Sequence, residues 1–277
     1  MTSKPKISII IRTKNEEKWI SHCLKSVFDQ KINATLEVIV VDNKSTDHTL
    51  EIAKRFPIKK FVEIEDFIPG KAINDGIRAS SGDYIVCLSA HCIPQSDIWL
   101  KKLLINFDNN KIAGVYGRQL PLTYTDPVDK RDLLIVFGLD KRIQRKDYFF
   151  HNANSMIPRS IWEKFPFDEN VTNIEDRVWG KKIIDNGFNI VYEPEASVYH
   201  HHGLHHGNTN ERARKIVSIM EKVDCDSISK KPNFMSIEKI NIAAVIPVIG
   251  DLVLNSSSCD SFKLVVDQLK KSKYVDN

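Results

Sequence analysis

The stretch Asp83-Tyr84-Ile85-Val86-Cys87-Leu88-Ser89-Ala90-His91-Cys92 decides how the rest of the chain is interpreted. Residues 84–88 form a short apolar run, a pattern that predicts a strand buried on both faces of a parallel sheet. The turn Ser89-Ala90-His91 follows directly, and imidazole ligates divalent metals well. The stretch therefore predicts a buried strand with a candidate metal-binding turn at its carboxyl end.

Two earlier segments repeat this arrangement of an apolar strand followed by polar residues. Residues 7–11 run into Arg12-Thr13-Lys14-Asn15-Glu16-Glu17, and residues 37–41 run into Asp42-Asn43-Lys44-Ser45-Thr46-Asp47. The spacing of apolar residues and the capping residues between the strands predict helices over 17–30, 48–56 and 71–79. Alternating strands and helices predict an α/β fold with a doubly wound, mostly parallel sheet flanked by helices. Ligands of such sheets bind beyond the carboxyl ends of the strands.

The second half of the chain has a less regular pattern. Strands are predicted at 113–118, 151–157 and 188–192, and helices at 96–109, 159–165 and 175–186. Residues 121–149 are polar and charge-rich without a clear period, so we expect a mobile loop over the site. A shift towards Asp, Ser, Lys and Pro predicts a linker over 223–239. This linker would separate a main domain at 1–222 from a strand–helix appendage at 240–277.

The composition is that of an ordinary globular protein, with 42% hydrophobic and 27% charged residues in a chain of 277. A formal net charge of +4 is too small to indicate a nucleic-acid partner. Five cysteines without CxxC spacing favour free thiols in a reducing compartment. No apolar run is long enough to span a membrane. We therefore expect a cytoplasmic protein, with peripheral association at the inner face of the membrane left open and no oligomeric state assigned.

Taken in order, these motifs resemble the nucleotide-sugar-binding half of a family 2 glycosyltransferase with the GT-A fold. The resemblance covers roughly residues 6–215 and rests on the two strand ends described above and on four further motifs: 70–82, Ser89-Ala90-His91, Glu175-Asp176 and 187–194. It implies a nucleotide-sugar donor. A dinucleotide-dependent oxidoreductase has a similar sheet, but it is excluded because residues 12–17 contain no glycine for a GxGxxG turn.

The resemblance also implies a set of donor-binding residues. In the family, the loop after the first strand and the acid after the second contact the base and ribose, and a basic residue at the third helix reaches the diphosphate. The residues implied here are Thr13, Glu16, Asp42, Lys71, Asn74, Ser89 and Arg212. Asp42 and Glu16 have a second interpretation as helix-capping residues, and Lys71 as a solvated surface lysine.

The metal site is where this chain departs from the family pattern. The family motif is Asp-x-Asp, and here Ser89 replaces the first acid and His91 the second. Five histidines fall within 200–206, and His200 and His202 share one face of an extended segment. With His91 they form a candidate site for a divalent cation, and imidazole ligands favour Mn²⁺ over Mg²⁺. The alternative is a solvated histidine-rich loop.

The resemblance places the catalytic acids at Glu175-Asp176, with Asp176 as the base that deprotonates an acceptor hydroxyl. Acids that interact with a helix macrodipole are the alternative. The implied function is an inverting glycosyltransferase that acts on a glycan or lipid-linked acceptor in bacterial surface polysaccharide synthesis. Two other functions stay open. Ser89 suggests a non-catalytic nucleotide-sugar-binding protein. The tail, which faintly resembles the start of a sugar cytidylyltransferase, suggests a fragment of a bifunctional transferase–nucleotidyltransferase.

Overall fold

A computed structural model describes residues 4–203 and 210–228. The first half of the chain alternates strands and helices, as predicted. Its elements are β1 (Lys6–Thr13), α1 (Ile20–Phe28), β2 (Thr35–Asp42), α2 (Thr49–Ala53), β3 (Lys60–Glu63), α3 (Pro69–Arg78) and β4 (Tyr84–Ser89). The four strands pair in parallel in the order β3-β2-β1-β4. The polar segments after β1 and β4 therefore meet at one edge of the sheet.

The second half completes the sheet and adds two helices beside the site. Its elements are β5 (Cys92–Pro94), α4 (Trp99–Leu104), β6 (Ile112–Pro121), α5 (Pro127–Val136), β7 (Arg142–Gln144), β8 (Asn154–Pro158), α6 (Arg159–Lys164), α7 (Glu175–Asp185), β9 (Asn189–His200) and α8 (Asn210–Ile228). The described residues form one nine-stranded sheet, which continues from β4 as β8-β6-β9-β5, with β7 paired to β9.

The sheet is mixed beyond β4. Strand β8 pairs antiparallel with β4 and with β6, whereas β6 and β9 pair in parallel. The α/β architecture with helices flanking a central sheet is confirmed, and parallel pairing is continuous over the first four strands and recurs between β6 and β9. A buried apolar run has the same composition in either direction, so the sequence pattern does not encode the orientation of β8.

Two apolar layers sandwich the sheet. On one face, Ile9 and Ile11 of β1 pack with the buried sides of α1 and α4. On the other face, Ile10 packs with α3, α5 and α7. Successive side chains of a strand point to opposite faces, which explains why the whole of 7–11 is apolar. This packing fixes the carboxyl ends of β1 and β4, where the polar residues lie.

Three local predictions are wrong. Residues 121–149 are not a loop throughout, because they contain α5 and β7. Helix α5 begins where Asp126 Oδ1 accepts a hydrogen bond from the backbone N of Val128 (2.9 Å), with proline at the first helical position. Only Leu133 of this helix is fully buried, so its apolar periodicity is weak. The strand predicted at 188–192 is longer and spans Asn189–His200, and the helix predicted at 96–109 spans only Trp99–Leu104.

The chain divides into two compact units, Met1–Cys225 and Asp226–Asn277. Helix α8 continues to Ile228, so the first residues of the predicted linker at 223–239 are helical. The predicted appendage at 240–277 lies outside the described residues.

Within 4–203 and 210–228, no helix is long and apolar enough to cross a membrane. Cys23, Cys87 and Cys92 are buried free thiols.

Candidate active site

A cleft of about 970 Å³ opens at the carboxyl ends of β1 and β4. Helix α5 contributes Val128, Arg131 and Asp132 to one wall, and α8 contributes a second wall that includes Arg212 and Met220. The amino end of α7 and the histidines after β4 and β9 also line the cleft. The cleft therefore combines carboxylates, imidazoles and basic side chains, as the sequence predicts for this edge of the sheet.

The predicted catalytic pair lies at the amino end of α7. Ile174, which precedes the helix, has a φ of 51° in the left-handed region, where β-branched residues are strained. This conformation turns the chain sharply, so that Glu175 and Asp176 are buried yet line the cleft. Backbone strain of this kind persists where the surrounding structure holds it, and here it positions two adjacent acids.

The two acids have different partners. Glu175 Oε1 accepts hydrogen bonds from Arg12 Nη1 (3.2 Å) and from Asn152 Nδ2 (3.3 Å). Within the described residues, Asp176 accepts only backbone hydrogen bonds, from the N of Asn152 (3.1 Å) and the N of Arg177 (2.9 Å). Glu175 is thus committed to an ion pair across the cleft floor. Asp176 has no basic side chain paired to it among the described residues, and it is the acid suited to accept a proton.

Burial raises the pKa of both carboxyls above their ordinary values. The charge of Asp176 also raises the pKa of Glu175, whereas Arg12 lowers both pKa values. A carboxylate with a raised pKa is a stronger base, which suits it to abstract a proton near neutral pH. Because the folded protein holds its protons more tightly than the unfolded chain, these two groups make folding less favourable as the pH rises above about 4.

The predicted metal ligands come together as a cluster of rings. The centroid of the His91 ring lies 5.0 Å from that of His200 and 4.4 Å from that of His202, and His200 and His202 are 4.6 Å apart. Ligand atoms of His91, Cys92 and His200 lie within 4.8 Å of one another. Burial raises the pKa of the Cys92 thiol well above its ordinary value, so the imidazoles are the better ligands.

Glu16 holds the orientation of His91. Its Oε1 lies 2.6 Å from His91 Nδ1, which leaves Nε2 as the free ligand atom of that ring. A carboxylate behind an imidazole is the common outer partner of a metal-bound histidine, because it fixes the ring and raises its basicity. Glu16 was predicted to contact the base or ribose of a donor, and the structure gives it this other partner.

The ring of His200 is buried and packs against two other imidazoles. Both of its nitrogens are buried, and neither has a hydrogen-bond partner among the described residues. Burial, together with the neighbouring imidazoles, lowers the pKa of His200 well below 6.5. The ring therefore stays neutral at neutral pH, the form in which histidine ligates a metal. Burying a polar ring without a hydrogen bond lowers the stability of the fold, and a bound cation would give the ring nitrogen a partner.

Of the predicted donor-binding residues, the structure brings Thr13, Glu16, Ser89 and Arg212 to the cleft, together with His91, His200 and His202. Thr13 is buried, and its Oγ1 has no hydrogen-bond partner within the described part of the chain. Ser89 ends β4 and lines the floor. The Thr13 hydroxyl is therefore available to a ligand in the cleft.

Three other predicted residues do not line the cleft. Both carboxylate oxygens of Asp42 accept hydrogen bonds from Ser45, so Asp42 caps a turn. Lys71 pairs with Asp75 (2.6 Å) on the exposed side of α3. The buried amide of Asn74 bonds to Phe167 O, Glu169 and Trp162, which ties α3 to a distant loop. The structure therefore assigns structural contacts to these three residues.

Sequence reasoning missed four residues of the site. Arg12 and Asn152 hold the carboxylate pair, and Arg131 and His151 line the cleft. Arg12 and His151 were visible as polar residues beside apolar strands, the same signal that indicated Thr13 and Asp42. Arg131 had no such signal, because α5 itself was not predicted.

Comparison with known proteins places the chain in a family. The profile of glycosyl transferase family 2 matches residues 8–165, and the chain belongs to this family. A Methanococcus voltae dolichyl N-acetyl-alpha-D-glucosaminyl phosphate 3-beta-D-2,3-diacetamido-2,3-dideoxy-beta-D-glucuronosyltransferase is 37% identical over 123 residues, which is 40% of this chain and 38% of that protein. The O-antigen chain rhamnosyltransferase WbaN of Salmonella anatum is 28% identical over 187 residues, or 63% of this chain and 59% of WbaN. The chain thus spans less than two thirds of these relatives.

A solved structure supports the fold. The mannosyltransferase PcManGT from Pyrobaculum calidifontis, solved in complex with GDP-Man and Mn²⁺, superposes with a TM-score of 0.61 at 18% identity. The superposition covers 83% of this chain and 66% of that one. At this identity the likeness establishes a shared GT-A architecture and nothing finer.

Proposed function

We propose that this protein is an inverting glycosyltransferase that moves a sugar from a nucleotide-sugar donor to an acceptor hydroxyl. The observation that carries the proposal is Asp176, a buried acid with a raised pKa that faces a cleft large enough for a nucleotide sugar. In this mechanism Asp176 takes the proton of the acceptor hydroxyl as its oxygen attacks the anomeric carbon. The bond to the nucleoside diphosphate breaks on the opposite side, which inverts that carbon.

Glu175 and Arg12 support this step without taking part in proton transfer. Their ion pair crosses from α7 to the end of β1, and Asn152 bonds to both acids, with its side chain on Glu175 and its backbone N on Asp176. These contacts hold the first turn of α7, and therefore the carboxylate of Asp176, at the cleft floor. Glu175 is in this account a positioning residue.

The donor diphosphate requires positive charge. Lys14, Arg131 and Arg212 are among the basic side chains that line the cleft, and they can supply this charge. The orphaned Thr13 Oγ1 is suited to a donor hydroxyl or carbonyl. In PcManGT a GDP-linked sugar is the bound donor, which supports a nucleotide sugar here but leaves the base and the sugar open.

The imidazole cluster fits a divalent cation. His91 would bind through Nε2 while Glu16 holds Nδ1, and His200 and His202 would supply further ligands. A bound cation neutralises charge on a departing diphosphate. Because Ser89 supplies no carboxylate and the ligands are nitrogens, we infer a preference for Mn²⁺ over Mg²⁺. The Mn²⁺ complex of PcManGT supports a divalent cation in this fold.

The similar proteins support a choice of acceptor. Transferases of O-antigen chains and of dolichyl-linked glycans are among the similar proteins. We infer a glycan or lipid-linked acceptor in the synthesis of a surface polysaccharide.

Asp176→Asn tests the proposal, with Asp185→Asn as the matched control. Both acids lie on α7, but Asp185 is exposed at the far end of the helix and pairs with Lys181. We expect Asp176→Asn to lower turnover by roughly 100-fold or more while donor affinity measured by calorimetry stays unchanged. Asp185→Asn should behave like the native chain. If the native chain binds donors but releases no nucleoside diphosphate with any acceptor, the non-catalytic alternative suggested by Ser89 is correct.

A further inference from the structure

Exposed apolar side chains concentrate in one part of the chain. Of the ten large hydrophobic side chains that are exposed in the described residues, six lie between Tyr124 and Ile143. Leu134 is 53% exposed, Ile135 and Leu139 are each 73% exposed, and Ile143 is 55% exposed. Isolated exposed apolar residues are ordinary, but such a concentration on one segment marks an interaction surface.

Basic side chains surround these apolar ones. Residues 134–146 contain four exposed basic residues, Lys141, Arg142, Arg145 and Lys146, and one acid, Asp140. Of these, Lys141 pairs with Glu193 (3.1 Å). Neither Arg145 nor Lys146 forms an ion pair with any described residue, although Asp147 follows them in the chain. We call residues 134–146 the apolar–basic surface. Exposed Leu and Ile next to unpaired Arg and Lys complement a bilayer whose headgroups are anionic.

The apolar–basic surface is held in place by the body of the protein. Arg142 Nη2 donates to Val136 O (3.5 Å), and its guanidinium lies 4.6 Å from the ring centroid of Tyr192. The hydroxyl of Tyr192 donates to Gly138 O (2.6 Å). The end of α5, the turn after it and the edge strand β7 therefore form one connected unit.

We propose that the apolar–basic surface docks this protein on a membrane that contains anionic lipids. Helix α5 connects this surface to the cleft. Val128 and Arg131 of this helix line the cleft. Ile135 lies on the same side of the helix, because it follows Arg131 by four residues and Val128 by seven. At 1.5 Å per residue, Val128 and Ile135 are only about 10 Å apart along the helix axis. Docking therefore places the cleft mouth beside the bilayer, where it meets a lipid-linked acceptor. This last step rests on the proposed transferase function, whereas membrane binding itself does not.

Vesicle co-sedimentation of the full chain tests the proposal. We expect binding to vesicles of phosphatidylcholine and phosphatidylglycerol in equal parts, weaker binding to phosphatidylcholine alone, and weakening by added salt. Arg145→Gln with Lys146→Gln should weaken binding on the order of 25-fold, from about fivefold for each basic side chain near an anionic surface. Leu134→Ser with Ile135→Ser and Leu139→Ser should weaken it by about tenfold or more.

Matched controls and a fold check keep the outcome interpretable. Ile105→Ser removes an apolar side chain that is 54% exposed directly after α4, and Lys59→Gln with Lys60→Gln removes two exposed basic side chains at the start of β3. These variants should bind vesicles like the native chain. Circular dichroism should show all variants folded, and donor affinity should be unchanged. The proposal is overturned if the native chain does not bind anionic vesicles, or if the control variants lose as much vesicle binding as the surface variants. It is also overturned if the apolar substitutions only convert a dimer to a monomer.

Discussion

Adjacent acids in one helical turn acquire different chemistry from their partners. Glu175 faces Arg12 and holds the site in place. Asp176 receives backbone hydrogen bonds instead, and burial raises its pKa. Glu16 and Glu17 differ in the same way. Glu16 contacts His91 in the cleft, and Glu17 contacts the exposed His48 outside it. At the scale of residues, the partner of an acid defines its role more closely than its place in a motif.

The contact between Glu16 and His91 makes a prediction about cation affinity. Glu16→Gln should lower the affinity for Mn²⁺, measured by calorimetry without donor, by about 10- to 100-fold, because the ring loses the carboxylate that orients it. Glu17→Gln is the matched control, since its partner is the exposed His48 at the start of α2, outside the cleft. Equal Mn²⁺ affinity in native and Glu16→Gln proteins would assign Glu16 to the donor instead.

Arg12 makes a prediction about pH dependence. Arg12 lowers the pKa of both acids, so Arg12→Met should raise the pKa of Asp176 further. The transfer rate requires ionised Asp176 and falls as the pH drops through this pKa. The acid limb of the rate profile should therefore lie at higher pH in Arg12→Met than in the native chain. Arg55→Met, which breaks an exposed pair with Glu51, should leave the limb in place. A limb that does not move would show that Asp176 does not control it.

At the scale of elements, close packing fixes the site more than helix propensity does. Helix α3 approaches β1 and β2 closely because Gly76 has no side chain, and the same helix carries Asn74 into the core. The left-handed Ile174 likewise determines where α7 begins. Both features place functional elements against the sheet at some local cost.

The substitution Gly76→Ala compares helix propensity with the close packing of α3 on the sheet. Relative to glycine, alanine stabilises an isolated helix by about 1 kcal/mol. Its Cβ, however, would lie 2.4 Å from Ile10 Cγ2 and 2.8 Å from Val41 Cγ2. Overpacking of a core costs about 1–3 kcal/mol. Less the gain of about 1 kcal/mol in helix propensity, we expect a net loss of up to about 2 kcal/mol in the free energy of unfolding by urea. Gly138→Ala meets nothing within 4 Å and should change it by less than about 0.5 kcal/mol. A stabilised Gly76→Ala protein would show that α3 can move away from the sheet.

At the scale of the whole molecule, the sequence predicts the order of strands and helices better than it predicts the side-chain contacts between distant residues. Buried strands and the polar residues at their ends were readable, so Thr13 and His91 could be assigned to one edge of the sheet in advance. Asp176 was assigned from the family resemblance of Glu175-Asp176. The ion pair between Arg12 and Glu175 joins residues 163 positions apart, and no local period encodes such a contact. Helix α5 was missed because it buries so little apolar surface. The same exposed surface is what the membrane proposal explains.

The inverting mechanism is the central claim, and the anomeric configuration of the product tests it most directly. Asp176 can act as a base for a single displacement, and a single displacement inverts the anomeric carbon. After transfer from a donor of known configuration, nuclear magnetic resonance reports the product configuration through the couplings of its anomeric proton. We predict the configuration opposite to that of the donor. A product with the donor's own configuration would contradict the assignment of Asp176 as the base.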